Sequence, residues 1–127
     1  MTHSRKNLLE VEDAAVRYGL SEMQEARFAR RDLSLQELGL THLTVKPGRR
    51  EAFAHRHLEA EELYVVLSGA GSVKLDEEIV PLVPLDAVRV GPGTARQFEA
   101  GPGGLVVLIL GRHVEGDVEQ VPDLWSS

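Results

Sequence analysis

Two histidines separated by one residue, His55-Arg56-His57, are the sharpest chemical feature of the chain. In an extended strand, residues i and i+2 face the same side, so both imidazoles can converge on one point. Five residues on stands Glu62, at the head of an apolar run. Two neutral imidazoles and a carboxylate form a donor set that suits Fe(II), and also Mn, Ni, Co or Zn. The chain has no cysteine, so a thiolate site, a disulfide scaffold and a cysteine nucleophile are all excluded. A His-x-His pair also occurs on solvated strands. Here a Pro47-Gly48 turn precedes it and a buried-type run ending at Gly69 follows Glu62.

Neighbouring groups read more plainly. Glu61 falls on the face opposite Glu62 and reads as a solvated or interfacial carboxylate. His42, within the run Leu40 to Val45, reads as a structural histidine. Tyr64 shares the parity of Glu62 and would line a pocket or fill the core. Gly91-Pro92-Gly93 lacks the Lys and Ser/Thr of a phosphate loop and reads as a turn. Asp76-Glu77-Glu78 reads as a hairpin turn with an acidic tip.

The elements that must position these groups are short. From Gly39 onward, Gly and Pro punctuate the chain at intervals near ten residues, around the apolar runs 40–45, 63–67, 72–75, 87–90 and 105–110. That pattern predicts an all-β sandwich or barrel. The 127 residues make one domain. It divides into an N-terminal extension (1–38), a barrel (39–114) and a C-terminal tail (115–127) in which Trp125 is expected to dock. Residues 21–33 are ambiguous, because Ser21 and Gln24 fit a helix capping box and 22–31 is rich in helix formers.

The runs 63–67 and 105–110 are apolar at every position, whereas a strand with one wet face alternates. Both faces therefore need cover. A second subunit, giving a homodimer, is the simplest cover, and a folded-back N-terminal segment is the alternative. The net charge of −6 argues against a nucleic-acid binder. No apolar stretch approaches the roughly 20 residues of a membrane span, and a polar N-terminus makes a cytoplasmic protein the default.

Gly48, His55-x-His57, Glu62 and Gly69 together resemble the first motif of the cupins, with the Gly48-to-His55 gap one residue longer than the usual consensus. The stretch 85–96 resembles the second motif in part. Asp86 and Gly93 match, Leu85 stands at the usual Gly, Gly91 at the usual first Pro, and Arg96 at the usual last metal-binding histidine. The resemblance covers roughly residues 40–112. It implies a jelly-roll β-barrel with a short N-terminal extension, and favours a strand over a helix for roughly Ala26 to Leu33. It also places Arg96, and with it Phe98 of the same parity, at the pocket beside His55, His57 and Glu62.

Arginine cannot ligate a metal. A divalent ion at about 4 Å from a guanidinium is opposed by about 8 kcal/mol at an effective dielectric near 20. Two readings follow. In one, a metal-dependent enzyme of dioxygenase or isomerase type acts on a small polar or anionic molecule, which Arg96 clamps, with Tyr64 and Phe98 lining the pocket. In the other, Arg96 pairs with Glu62 in place of the metal and the barrel is a metal-free binding or sensing module. An Arg96 pointing to solvent is a third arrangement. The catalytic base is unassigned.

Overall fold

The computed structural model describes residues 2–126. Eight strands follow one another: β1 (Gln24–Phe28), β2 (Leu38–Val45), β3 (His55–His57), β4 (Glu62–Leu75), β5 (Glu78–Leu82), β6 (Ala87–Val90), β7 (Arg96–Arg112) and β8 (Val118–Gln120). They form one curled antiparallel sheet. One path runs β1-β2-β7-β3-β8, and β4 joins it through β7 while also pairing with β5 and β6. The expected all-β jelly-roll architecture is present.

Two long strands give the sheet its curl. β4 and β7 pair antiparallel over nearly their whole lengths, with register shifts between Val66 and Ser68 and between Gly69 and Gly71. The chain bends there, opposite Gly101-Pro102-Gly103-Gly104. Gly69 has a φ of +78°, and a Cβ at that position would collide with the carbonyl oxygen of Gly104. Only glycine allows this close approach of two backbones. Inward residues on either side of the bend, among them Tyr64, Val66, Val73, Phe98, Leu105 and Val107, form the core with Leu43, Val45, Leu82 and Val90.

The N-terminal region corrects the capping-box reading. Ser21 caps no helix; residues 21–23 are a turn and β1 begins at Gln24. The strand favoured for Ala26 to Leu33 is there but sits further toward the N-terminus, ending at Phe28. Residues 30–34 turn back, with Leu33 N–H on Ala29 O and Leu35 N–H on Arg30 O. A helix does occur in this region, α1 (Ala14–Arg17), capped by Asp13 Oδ1 on Ala15 N–H. Burying Ala14 and Ala15 holds it against the rest of the chain.

The outer face of β4 alternates despite its uniformly apolar sequence. Tyr64 and Val66 are buried, while Leu63 and Leu67 are 40% and 41% exposed. Within one chain this face has no full cover, and α1 packs on β1 instead. Arg27 and Leu108 flank His42 in register on that side. The Nδ1 of His42 is buried without a hydrogen-bond partner. Asp76 lies in the β4–β5 turn, where it caps Ala95 N–H instead of standing free. Trp125 docks with its ring over the Arg50 guanidinium at 4.4 Å and Lys74 Nζ at 5.6 Å.

The departure from the second motif has a conformational signature. Leu85, at the usual glycine position, has a φ of +73° and is 81% exposed. A left-handed backbone costs a non-glycine residue about 1–2 kcal/mol, while glycine costs about 0.5–1 kcal/mol in lost chain entropy. An exposed leucine contributes no packing to offset the strain. Leu85→Gly should therefore stabilise the protein by about 0.5–1 kcal/mol. Urea titration would register this as a higher midpoint at unchanged slope.

Candidate metal centre

β3 is only three residues long, wedged between β7 and β8. His55 pairs across to Arg96 on one side and to Gln120 on the other. Its two imidazoles lie on one face with ring centroids 5.2 Å apart. Glu62 opens β4, opposite Gly111 of β7. The result is a convergent triad. His57 Nε2 lies 3.1 Å from Glu62 Oε2 and His55 Nε2 lies 3.7 Å from Glu62 Oε1. One ligand atom from each residue falls within a 4.8 Å span.

A carboxylate the sequence reading missed fixes the geometry. Asp117 Oδ1 accepts hydrogen bonds from Leu58 N–H and Glu59 N–H at 3.1 and 2.7 Å, and Oδ2 from Ala60 N–H at 3.1 Å. Oδ2 also meets His57 Nδ1 at 3.2 Å. Burial raises the Asp117 carboxyl, but the Ala60 and Glu59 amides and His57 outweigh it and hold the group below its ordinary range. An ionised Asp117 only accepts, so Nδ1 of His57 carries the proton and Nε2 is turned toward Glu62. A partner of this kind fixes the tautomer of a metal-ligating histidine.

Neutral His57 then leaves two acceptors, Nε2 and Glu62 Oε2, facing each other at 3.1 Å. A positive charge must lie between them. A proton can serve there: the hydrogen bond to Glu62 raises the His57 pKa against the effect of burial. A divalent ion would serve the same gap. Ligand atoms about 2.1 Å from a metal stand about 3.0 Å apart in an octahedron and about 3.4 Å apart in a tetrahedron. The observed 3.1 and 3.7 Å lie close to those values. The donor set and its spacing fit the metals expected from the sequence.

Glu62 remains ionised. Burial pushes its carboxyl up, but hydrogen bonds from His55, His57 and Tyr64 together hold it well below the usual carboxylate range. Tyr64 donates its hydroxyl to Glu62 Oε1 at 2.6 Å and accepts from Arg96 Nε at 3.0 Å. Burial and the Glu62 charge drive the phenol well above its ordinary pKa, so it stays a donor.

Arg96 is fully buried. Its Nη1 donates to Thr94 O at 2.7 Å, and Nη2 has no hydrogen bond, lying 3.9 Å from Glu62 Oε1. It neither points to solvent nor makes a direct fork to Glu62; Tyr64 bridges the two. Phe98 packs edge-on against Tyr64 at 4.8 Å. Arg96, Tyr64 and Phe98 thus stand behind the triad, each at most 1% exposed. Glu61 lies outside, its carboxylate on Arg89.

Glu51 is another addition. Its Oε1 accepts from Phe98 N–H at 3.2 Å. Burial pushes its pKa up to about 7, with Glu62 adding to the rise and His55, Phe98 N–H and Arg96 opposing it. No local motif marks Asp117 or Glu51; both are found only when the strands are placed.

An open groove of about 820 Å³ reaches His57, Glu62 and Asp117 from outside, between β1, the ends of β2 and β7, and the tail. Phe28, Thr41 and Ile109 line its inner wall, Gly39 and Gly111 its floor, and Arg30, Arg31 and Arg112 its rim.

The model of the cupin domain family matches residues 41–110. No curated protein matches the chain. Among solved structures, an Acidithiobacillus ferrooxidans protein provisionally named a sugar phosphate isomerase is 25% identical, with a TM-score of 0.67. The match covers 76% of this chain, which spans only 64% of that protein. The polyketide cyclase RemF of Streptomyces resistomycificus is 21% identical over 93% of this chain and 84% of its own, with a TM-score of 0.76. A cupin protein of Bacteroides fragilis is 20% identical over 94% and 90%, with a TM-score of 0.69. With its matched span, its curled antiparallel sheet and its His-His-Glu triad, the chain belongs to the cupin family.

Proposed function

We propose that this cupin holds one divalent transition metal (Fe, Mn, Ni, Co or Zn) on His55, His57 and Glu62 and acts as a metal-dependent enzyme on a small polar or anionic molecule. The observation that carries the reading is the pair of acceptors, His57 Nε2 and Glu62 Oε2, held 3.1 Å apart by Asp117 on one side and Tyr64 on the other. Three protein ligands leave positions open for substrate. A bound metal would supply Lewis-acid polarisation or, for iron, oxygen chemistry, the two routes that isomerase- and dioxygenase-type reactions use.

The chain's own residues set the stage for it. Asp117 fixes the His57 tautomer. Tyr64, polarised by Arg96, orients Glu62 and keeps it ionised. Arg96 spends its hydrogen bonds on Tyr64 and Thr94. For Arg96, Tyr64 or Phe98 to touch a ligand, a side chain would have to move. In the metal-free alternative Arg96 pairs with Glu62 in the metal's place; the two lie 3.9 Å apart, at the edge of ion-pairing distance, with Tyr64 bridging them and no direct hydrogen bond.

The test is metal content by plasma mass spectrometry on tag-free protein purified without chelators. The expected result is close to one equivalent per chain, lost in His57→Ala. A metal-free protein that stays so after incubation with each ion would sink the reading.

We propose further that the open outer face of β4 and β7, with Leu63, Leu67 and Leu110, packs against a second copy. Burying these side chains would return about 25 cal/mol per Å² of apolar surface. Light scattering should give twice the 14.0 kDa chain mass. A Leu63→Lys/Leu67→Lys protein should be monomeric, and a monomeric wild type would refute the dimer.

A further inference from the structure

The groove that leads to the triad is positively charged at one end, and its charges are unspent. Five carboxylates line it: Glu62 belongs to the triad, and the other four are each engaged. Glu12 pairs with Arg17 at 2.9 Å, Asp32 with Lys6 at 3.5 Å and Glu115 with His113 at 3.5 Å. Asp117 is filled by three amides and His57. Among the described residues, Arg30, Arg31 and Arg112 have no carboxylate within ion-pairing distance, and Arg30 Nε is buried with no hydrogen-bond partner.

The sheet register places this rim relative to the triad. Glu62 pairs with Gly111, and Gly111 with Gly39. Ala29, bonded through its N–H to Leu40 O, brings Arg30 alongside Gly39. At about 4.8 Å per strand, Gly39 lies about 10 Å from Glu62. Two glycines in that row leave the floor bare. A Cβ on Gly111 would stand 3.2 Å from Glu62 Cγ and 3.0 Å from Glu61 O. The bare floor thus joins the triad to the arginine rim.

We infer that Arg30, Arg31 and Arg112 form the anion-recognition subsite of this groove and that the anion is the phosphate of a small phosphomonoester, whose polar body lies over Gly39 and Gly111 toward the triad. This deepens the proposed function and rests on the groove being the approach to the metal centre. The role foreseen for Arg96 passes to these three residues, because Arg96 is walled off. The choice of phosphate follows from charge and shape. Three arginines lining one groove can surround a dianion with three terminal oxygens, whereas a carboxylate is satisfied by a single fork.

The test is calorimetric titration of inorganic phosphate, and separately of succinate, into metal-free protein at low salt. Wild type and His57→Ala should both bind one phosphate, since the rim does not depend on the metal. Arg30→Gln and Arg112→Gln should each weaken it about tenfold, the loss of one charge-assisted hydrogen bond. Succinate should bind at least about tenfold less tightly than phosphate. The inference is overturned if wild type shows no saturable phosphate binding, if both glutamine variants bind as wild type does, or if succinate matches phosphate. Because His57→Ala retains the rim, absence of metal in the earlier test leaves this outcome independent.

Discussion

Replacing Arg96 with methionine should destabilise the protein by about 3 kcal/mol or more while tightening its hold on a divalent ion. The loss comes from several sources. Arg96 is the largest fully buried side chain. Its removal strips Thr94 O and the Tyr64 hydroxyl of their donors and leaves the Glu62 charge without its nearest permanent cation. Methionine fills much of the volume, so the penalty is mainly polar. The gain comes from the same charge, because a guanidinium beside the triad repels an incoming divalent cation. Urea denaturation of the metal-free protein and a competition titration with a metal-binding dye would read the two effects separately. If both stability and metal affinity fell, Arg96 would be supporting the ligand geometry more than it opposes the ion. If neither changed, the buried network would not have the role given to it.

Glu51→Gln should make the protein more stable at pH 8 by up to about 3 kcal/mol and leave it nearly unchanged at pH 4.5. The sign follows from linkage. Burial lifts the Glu51 pKa from 4.5 to about 7, so between those values the folded state holds a proton that the unfolded chain has released. Stability then falls as pH rises through that window and levels off above it. Each pKa unit is worth about 1.4 kcal/mol. Glutamine presents the same acceptor to Phe98 N–H without the titration. Thermal or urea unfolding of both proteins from pH 4.5 to 8.5 gives the two curves. Parallel curves would show that Glu51 does not titrate in this window. Saturating metal should shrink the difference, because a divalent charge in the pocket draws the carboxyl back down.

The parts of this protein visible in the sequence are those encoded by local spacing. His55-x-His57 followed by Glu62 is a strand-period signal, and the triad forms as the period demands. Gly69 is legible as the end of the run 63–67, but that one strand bends there and continues to Leu75 is not. The strand at 24–28 is legible only through the family resemblance and not from propensity, because Gln24, Glu25, Ala26 and Arg27 are good helix formers. Pairing with β2, through which Ala26 meets Leu43 in the core, overrides that preference. Asp117 and Glu51 were unreadable for a different reason. Neither sits near the triad in sequence in a recognisable pattern, and their roles arise from register between distant segments. Arg96 was placed at the pocket through its resemblance to a histidine position. Its hydrogen bonds to Thr94 and Tyr64, which turn it away from the groove, follow from packing that no local spacing encodes.

The pairing of β3 with β8 also bears on synthesis. His57 and the carboxylate that orients it are 60 residues apart. A chain emerging from the ribosome presents the His-x-His segment well before its partner strand and Asp117 exist outside the tunnel. During that interval the two imidazoles are unanchored and the amides of residues 58–60 have no acceptor. A nascent chain can therefore curl β4 against β7 before its candidate ligands are set, and the final orientation of His57 waits for the emergence of Asp117.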